Sequence, residues 1–156
     1  NNASSFFPTP IGETTTEHWD NLFASNCQAP FFLSQELAPT LAKHQGNIIN
    51  MIDIHASAPL KNHTAYCMAK SALQMMTLSL AKELAPNIRV NGVAPGAILW
   101  PKPEAEMTSK EKNEILSGIP LERLGSLEDI ANTIAFLTAS PYITGQIIAV
   151  DGGRSI

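Results

Sequence analysis

Tyr66 and Lys70 are the residues of this sequence whose types and spacing most directly suggest chemistry. A separation of four residues places two side chains on one face of a helix. The residues that follow support a helix, because apolar side chains recur at helical spacing from Ala69 to Leu84. A lysine ammonium beside a phenol stabilises the phenolate and so lowers the tyrosine pKa from its reference of about 10. The pair therefore predicts a proton donor or acceptor that works near neutral pH.

The rest of the chain predicts the elements that would position these side chains. Residues 47–53 form an apolar run that predicts a buried parallel strand, and the run ends at Asp53. Residues 88–96 predict a strand that leads into a Pro-Gly turn, and residues 146–150 predict the last strand. Because helices are predicted between the strands, the fold class is α/β, a parallel sheet with helices on both faces.

Capping boxes predict where three of the helices begin. The first box, Thr14-x-x-Glu17, predicts a helix that contains Asn26, is interrupted near Pro30 and ends at about Leu37. Two further boxes predict shorter helices, at Thr108-x-x-Glu111 and at Ser126-x-x-Asp129.

The composition limits the class of protein. At 156 residues and 44% hydrophobic, the chain predicts at most one domain with its own core. A net charge of −4 without charged blocks argues against nucleic-acid binding and against a basic membrane-surface patch. No run approaches the roughly 20 apolar residues of a membrane span, and we expect a cytoplasmic protein. Cys67 lies beside Tyr66, but without an organised Cys-His pair it is interpreted as a packing residue rather than a nucleophile.

The order and spacing of these motifs resembles the short-chain dehydrogenase/reductase family along essentially the whole chain. The matching elements are Asn-Asn-Ala at 1–3, the helix asparagine at 26, Tyr-x-x-x-Lys at 66–70, the turn at 95–96 and the close at 143–153. The resemblance implies a Rossmann-like doubly wound fold, in which a glycine-rich turn binds the cofactor pyrophosphate. No such glycine-rich run occurs in this sequence. We therefore expect residues 1–156 to be the C-terminal part of a single domain whose N-terminal half is absent, and to neither fold stably nor bind NADPH alone.

Within that family the sequence is most similar to the pteridine reductases. Like them, it has an Asn-Asn-Ala-Ser-Ser-Phe start at 1–6, with Ser4 in place of the usual family glycine, and a Pro-Thr-Pro at 8–10. It also has Asp53 where most of the family has a catalytic serine. The resemblance implies an NADPH-dependent reductase of dihydropterin or dihydrofolate-like substrates that assembles as a homo-tetramer.

The resemblance also implies roles for individual catalytic residues. Asp53 and Tyr66 would together supply a proton to the pterin ring, while Lys70 would hydrogen-bond the nicotinamide ribose as well as tune Tyr66. Asn26 would order a backbone carbonyl and a water that relays protons to the lysine. Phe6 would stack on the pterin and hold it against the nicotinamide.

The remaining implied site residues contact the cofactor or form pocket walls. The cofactor-binding set is Asn1, Ala3, Ser4, Tyr66, Lys70, Pro95, Gly96 and Ile98, and Ser4 would also lie at the pterin edge. Leu99, Trp100 and Pro101 depart from the usual family sequence and would form one wall of the substrate pocket. His55 and His63 are interpreted as pocket-wall or surface residues rather than metal ligands, since no third ligand lies at useful spacing. Asp151-Gly152-Gly153 is interpreted as a structural turn.

Two alternatives to pterin reduction stay open. One is a short-chain reductase that acts on a carbonyl or another small substrate. The other is a non-catalytic member or fragment that binds a partner or a nucleotide without turnover. The presence of both Tyr66 and Lys70 argues against the second alternative.

Overall fold

Three parallel strands form the centre of the structure, a computed structural model that describes residues 1–100 and 107–156. The elements, in chain order, are α1 (Thr16–Phe23), a π-helical turn (Ala24–Gln28), α2 (Ala29–Lys43), β1 (Asn47–Met51), a 3-10 turn (Ile54–Ala56), α3 (Thr64–Glu83), β2 (Arg89–Pro95), α4 (Ser109–Ser117), α5 (Leu127–Ala139) and β3 (Ile147–Val150). Within these described residues, no helix has the length and apolar character that crossing a membrane requires.

The sheet has the strand order β1-β2-β3, and both pairings are parallel. Ile48 lies opposite Val90, and Val93 lies opposite Ile148. Because the strands are parallel, their carboxyl ends meet at one edge of the sheet, where ligands bind in open α/β folds. The predicted parallel α/β fold is confirmed.

Successive side chains of β2 point to opposite faces of the sheet, as the pleat of a strand requires. Val90 and Ala94 point to the face that α3 covers. Val90 packs in one core cluster with Leu80 of α3, and Ala94 packs in another with Leu73 of the same helix. On the opposite face, Arg89 donates a hydrogen bond of 2.8 Å to the carbonyl of Leu137 in α5. The sheet is therefore covered by α2 and α3 on one face and by α5 on the other.

The first helical segment differs from its prediction at both ends. Its N-cap is Thr15 rather than Thr14, because Thr15 and His18 form the reciprocal capping bonds. At its other end, α2 continues past Leu37 and through Pro39 to Lys43. A proline inside a helix costs about 3 kcal/mol, and here the packing of α2 against the core around Ile48 offsets that cost.

The interruption of this segment occurs upstream of Pro30, in the π-helical turn. Pro30 has no backbone N–H, so it cannot bond the carbonyl one turn earlier. Asn26, which is fully buried, uses its side-chain amide to donate to the carbonyl of Leu22 at 3.0 Å. Side chains that compete for helix carbonyls favour such widened turns. The turn places Asn26 next to residues 4–5.

The later elements follow the predictions closely. Both predicted capping boxes are present, at Thr108 and at Ser126. β1 is shorter than predicted and ends at Met51, although the amide of Ile52 still bonds the carbonyl of Val93 at 2.7 Å. The chain then turns, because the carboxylate of Asp53 caps the short 3-10 turn that follows.

Candidate active site

Asp53 and Tyr66 lie in direct contact at the carboxyl edge of the sheet. The Tyr66 hydroxyl donates a hydrogen bond of 2.7 Å to Oδ2 of Asp53. The other carboxylate oxygen, Oδ1, accepts a 2.8 Å hydrogen bond from the backbone amide of His55. The 3-10 turn therefore fixes the carboxylate so that it faces α3, and the structure brings together the two side chains predicted to move a proton.

Lys70 lies one helical turn beyond Tyr66 and is also buried. Its Nζ atom donates to the carbonyl of Met51 at 2.9 Å, at the end of β1. The same atom lies 5.8 Å from the centre of the Tyr66 ring. Tyr66, Lys70 and the end of β1 thus form one buried polar cluster.

The electrostatics of Tyr66 differ from the sequence prediction. Burial raises the pKa of Tyr66 above its ordinary value, and the charge of Asp53 and the hydrogen bond to it raise this pKa further. The prediction that Lys70 lowers the pKa of Tyr66 is therefore wrong for this structure. Burial lowers the pKa of Lys70 itself, while the charge of Asp53 acts in the opposite direction. Tyr66 is held as a neutral phenol, the form that can donate a proton.

Asn26 and Ser4 form a second polar group beside this cluster. The hydroxyl of Ser4 donates to Oδ1 of Asn26 at 2.7 Å. The Asn26 amide donates to the carbonyl of Ser5 at 2.9 Å. Asn26 therefore orders a backbone carbonyl, that of Ser5, and holds the residues that precede Phe6.

Asn1 lies against the outer edge of β1. The amide of Met51 donates to the carbonyl of Asn1 at 3.0 Å. The Asn1 side-chain amide donates to Oδ1 of Asn50 at 2.7 Å, and Asn50 in turn donates to Thr77 of α3 at 2.8 Å. These contacts position Ala3 and Ser4, which are exposed, near the carboxyl edge of the sheet.

Phe6 contacts two aromatic residues of the α3 region. Its ring is stacked on His63, with ring centres 4.7 Å apart and planes inclined by 11°. It meets Tyr66 edge-on, with ring centres 4.8 Å apart. Phe6 remains 58% exposed, so it offers aromatic surface to a ligand beside the Tyr66 hydroxyl. No sequence pattern indicates the stack with His63.

A cavity of about 500 Å³, within the usual range for small-molecule sites, lies next to these residues. Phe6, Asp53, His55 and Arg154 line it together with apolar side chains that include Leu99. The turn after β2 forms one side through Gly96, Ala97 and Ile98. Leu99 thus lies where the predicted wall was placed. Trp100 is not among the lining residues and lies instead near Lys112, while Pro101 is outside the described residues.

The residues present fit the nicotinamide end of a dinucleotide. Lys70 donates one of its three ammonium hydrogens to Met51, and the described part of the chain offers the other two no acceptor. Neither the amide nor the carbonyl of Ile98 is hydrogen-bonded within the described residues. An ammonium group beside a phenol matches ribose hydroxyls, and an open amide and carbonyl together match a carboxamide.

No group of three His, Cys, Asp or Glu side chains that could hold a metal ion occurs among residues 1–100 and 107–156. The Nδ1 atom of His55 lies 2.8 Å from the carbonyl of Ala58, so this nitrogen carries the proton. His55 therefore contributes to the cavity wall with its ring orientation fixed by the carbonyl of Ala58.

Comparison with known proteins identifies the family. A family model described as Enoyl-(Acyl carrier protein) reductase matches residues 1–155. Pteridine reductase 1 of Leishmania tarentolae is 40% identical over 181 residues, which include 100% of this chain and 62% of that protein. The chain belongs to the short-chain dehydrogenase/reductase family.

Other members of the short-chain family show how widely the likeness extends. L-xylulose reductase of Caenorhabditis elegans is 34% identical and is matched over 99% of this chain and 64% of its own length. A solved SCOR enzyme of Clostridium thermocellum superposes with a TM-score of 0.88 at 32% identity, covering 99% of this chain and 60% of that one. The chain therefore spans a little under two thirds of the length of these relatives.

Proposed function

We propose that this chain is the C-terminal part of a single reductase domain that uses NADPH to reduce pterin or folate-type substrates. The observation that carries the proposal is the 2.7 Å hydrogen bond from Tyr66 to Asp53, with Phe6 packed edge-on against the same tyrosine. The likeness to pteridine reductase 1 of Leishmania tarentolae supports the choice of substrate.

The proton in this proposal comes from Tyr66. A buried phenol whose pKa is raised keeps its proton at neutral pH, and Asp53 lies beside it to exchange that proton. Lys70 and Tyr66 would hold the nicotinamide ribose, and Ile98 would hold the carboxamide. When bound there, NADPH supplies the hydride.

Phe6 supplies the aromatic surface on which a flat substrate ring would lie. Its ring is more than half exposed and borders the cavity that Asp53 also lines. A flat substrate ring stacked on Phe6 would be held in a fixed orientation relative to the proton donor Tyr66. Such fixed orientation of reacting groups is a large source of rate acceleration. Asn1, Ala3, Ser4, Pro95 and Gly96 complete the proposed cofactor side.

The test is an assay of NADPH oxidation by the full-length protein with dihydrobiopterin, dihydrofolate and a simple ketone in parallel. We expect turnover of the two pterin compounds and little with the ketone. The variant Asp53→Ser, which introduces the residue usual in the family, should reduce pterin turnover more than ketone turnover. Equal losses on both substrates would mean that Asp53 has only a structural role.

A carbonyl reductase is the second candidate. The neutral phenol of Tyr66 is suited to protonate a developing alkoxide, and L-xylulose, the substrate in the name of one relative, is a ketose. The same assay separates the two functions, because ketone turnover without pterin turnover would select the carbonyl reductase.

By resemblance to the family, we also propose a cytoplasmic homo-tetramer. Exposed apolar side chains on α2 and α3, among them Phe31, Phe32 and Met75, support association between chains. Light scattering of the full-length protein measures the assembly, and a monomer at micromolar concentration would count against it.

A further inference from the structure

Arg154 lines the same cavity as Asp53 and Phe6. The other lining residues are almost all apolar, so the cavity carries one cation and one carboxylate on an apolar wall. Both oxygens of the carboxylate already accept hydrogen bonds, from Tyr66 and from the amide of His55. Arg154 is therefore the charged side chain among the lining residues that keeps unused hydrogen-bonding capacity for a ligand.

The turn formed by Asp151, Gly152 and Gly153 brings Arg154 back to this cavity. Both glycines have positive φ values, 64° and 88°, which other residues rarely adopt. The Asp151 carboxylate fixes the turn by accepting from the amide of Gly153 at 2.9 Å and from the amide of Ser155 at 2.8 Å. Burial acts to raise the pKa of this carboxyl group, but the hydrogen bonds stabilise the charged carboxylate and together lower the pKa below its ordinary value.

The same turn is joined to the turn after β2. The amide of Gly96 donates to the carbonyl of Val150 at 3.0 Å. A Cβ atom at Gly96 would lie 2.6 Å from Cβ of Asp151, so the two turns are packed as closely as glycine allows. Arg154 is thus held beside residues 96–98 by backbone contacts.

The side chain of Arg154 differs from the other two arginines of the chain. Arg123 pairs with Asp129 at 2.9 Å, and Arg89 donates to carbonyls at the end of α5. The guanidinium of Arg154, on a half-buried residue, has no acceptor within the described residues. A guanidinium keeps its charge at all physiological pH values and matches a carboxylate through two parallel hydrogen bonds.

We propose that Arg154 binds a negatively charged group of the substrate, so that the site selects flat compounds that bear a carboxylate. The proposal rests on the proposed function and refines its substrate class. Of the two pterin compounds, dihydrofolate carries carboxylates on its tail and dihydrobiopterin carries none. Arg154 should therefore favour dihydrofolate.

The experiment compares Arg154→Gln and Arg154→Lys in the full-length protein with Arg123→Gln, a matched loss of an arginine charge outside this cavity. Two substrate pairs are measured, dihydrofolate with dihydrobiopterin and 4-carboxybenzaldehyde with benzaldehyde. Binding of each compound is measured by calorimetry beside the turnover assay. Thermal melting checks that each variant is folded, and the KM for NADPH checks the cofactor site.

We expect Arg154→Gln to weaken binding of the anionic member of a pair by roughly 10- to 100-fold and to leave the neutral member unchanged. Arg154→Lys should retain part of the effect, and Arg123→Gln should have none. The proposal is overturned if Arg154→Gln affects both members equally, if only the KM for NADPH rises, or if no anionic compound depends on Arg154. Turnover of the aldehydes without the pterins would instead reject pterin reduction, and the aldehyde pair would still test Arg154.

Discussion

The imidazole of His63 covers one face of the Phe6 ring, with ring centres 4.7 Å apart and nearly parallel planes. Nδ1 of His63 donates to the carbonyl of Lys61 at 2.9 Å, which fixes the ring at the start of α3. Thr9, which is buried, pairs with the backbone of His63 and so joins the loop that carries Phe6 to the same point. His63 therefore packs on one face of the Phe6 ring, and the Phe6 side chain stays 58% exposed and so accessible to a ligand.

The variant His63→Ala should weaken pterin binding through loss of this support. An aromatic pair contributes about 0.5–1.5 kcal/mol beyond buried area, so KM should rise by roughly 2- to 12-fold while kcat changes little. His63→Phe keeps a stacking ring and serves as the control. In a double-mutant cycle, His63→Ala should add little once Phe6→Ala has removed the ring, and full additivity would exclude a role through Phe6.

Replacement of Tyr66 by phenylalanine should remove the proton donor and keep the ring packing against Phe6. We expect turnover to fall by roughly 10²- to 10⁴-fold, with cofactor affinity little changed. Tyr142→Phe is the control, because the side chain of Tyr142 is fully exposed. Near-wild-type turnover of purified Tyr66→Phe would reject the assignment.

The positions of Asp53, Tyr66 and Lys70 could be predicted from the sequence because each depends on local rules. A spacing of four on a helix places Tyr66 and Lys70 on one face of the helix. The residues that follow a buried parallel strand lie at the carboxyl edge of the sheet, and Asp53 is such a residue. Capping boxes such as that at Thr108 are equally local, and this one was confirmed.

The features that escaped prediction depend on contacts between distant residues. The π-helical turn forms where Asn26 meets the carbonyl of Ser5, and α2 passes through Pro39 because its far side packs on the core. The raised pKa of Tyr66 depends on its depth of burial, which helical spacing does not reveal. Arg154 reaches the cavity only because two glycine turns pack together, and nothing in its own sequence neighbourhood indicates a ligand.

The raised pKa of Tyr66 should make stability fall at alkaline pH. Below the ordinary tyrosine pKa of about 10, folded and unfolded chains both keep the phenolic proton, and the contribution to stability is complete. Above this pH the unfolded chain releases the proton while the folded protein retains it, so stability is lost as pH rises toward the folded-state pKa. Tyr66→Phe should therefore show a smaller fall in Tm from about pH 9.5 to 11, and an unchanged fall would contradict the assignment.

Asp53→Asn tests the second cause of the same shift. Without the carboxylate charge, the pKa of Tyr66 should decrease but remain above its ordinary value, because burial is the largest cause. Tyrosinate absorbance, taken as the difference between each protein and its Tyr66→Phe counterpart, measures this pKa. A pKa that does not move would mean that Asp53 does not act on Tyr66 through its charge.

Gly96→Ala should disturb the site and the fold together, because the added methyl group has no room. Its Cβ would lie 2.6 Å from Cβ and 2.8 Å from Cα of Asp151, and a backbone atom cannot move away as a flexible side chain can. Overpacking of this kind costs about 1–3 kcal/mol in the free energy of unfolding. Because the same contact holds Arg154 and Ile98 in place, binding of NADPH and of an anionic substrate should weaken as well.

Gly118→Ala is the matched control, since the nearest neighbour of its added Cβ atom, the carbonyl oxygen of Ile115, would lie at an ordinary 3.6 Å. Denaturant unfolding of both variants measures the difference, and equal stability of the two would show that the turns at residues 96 and 151 can separate without cost.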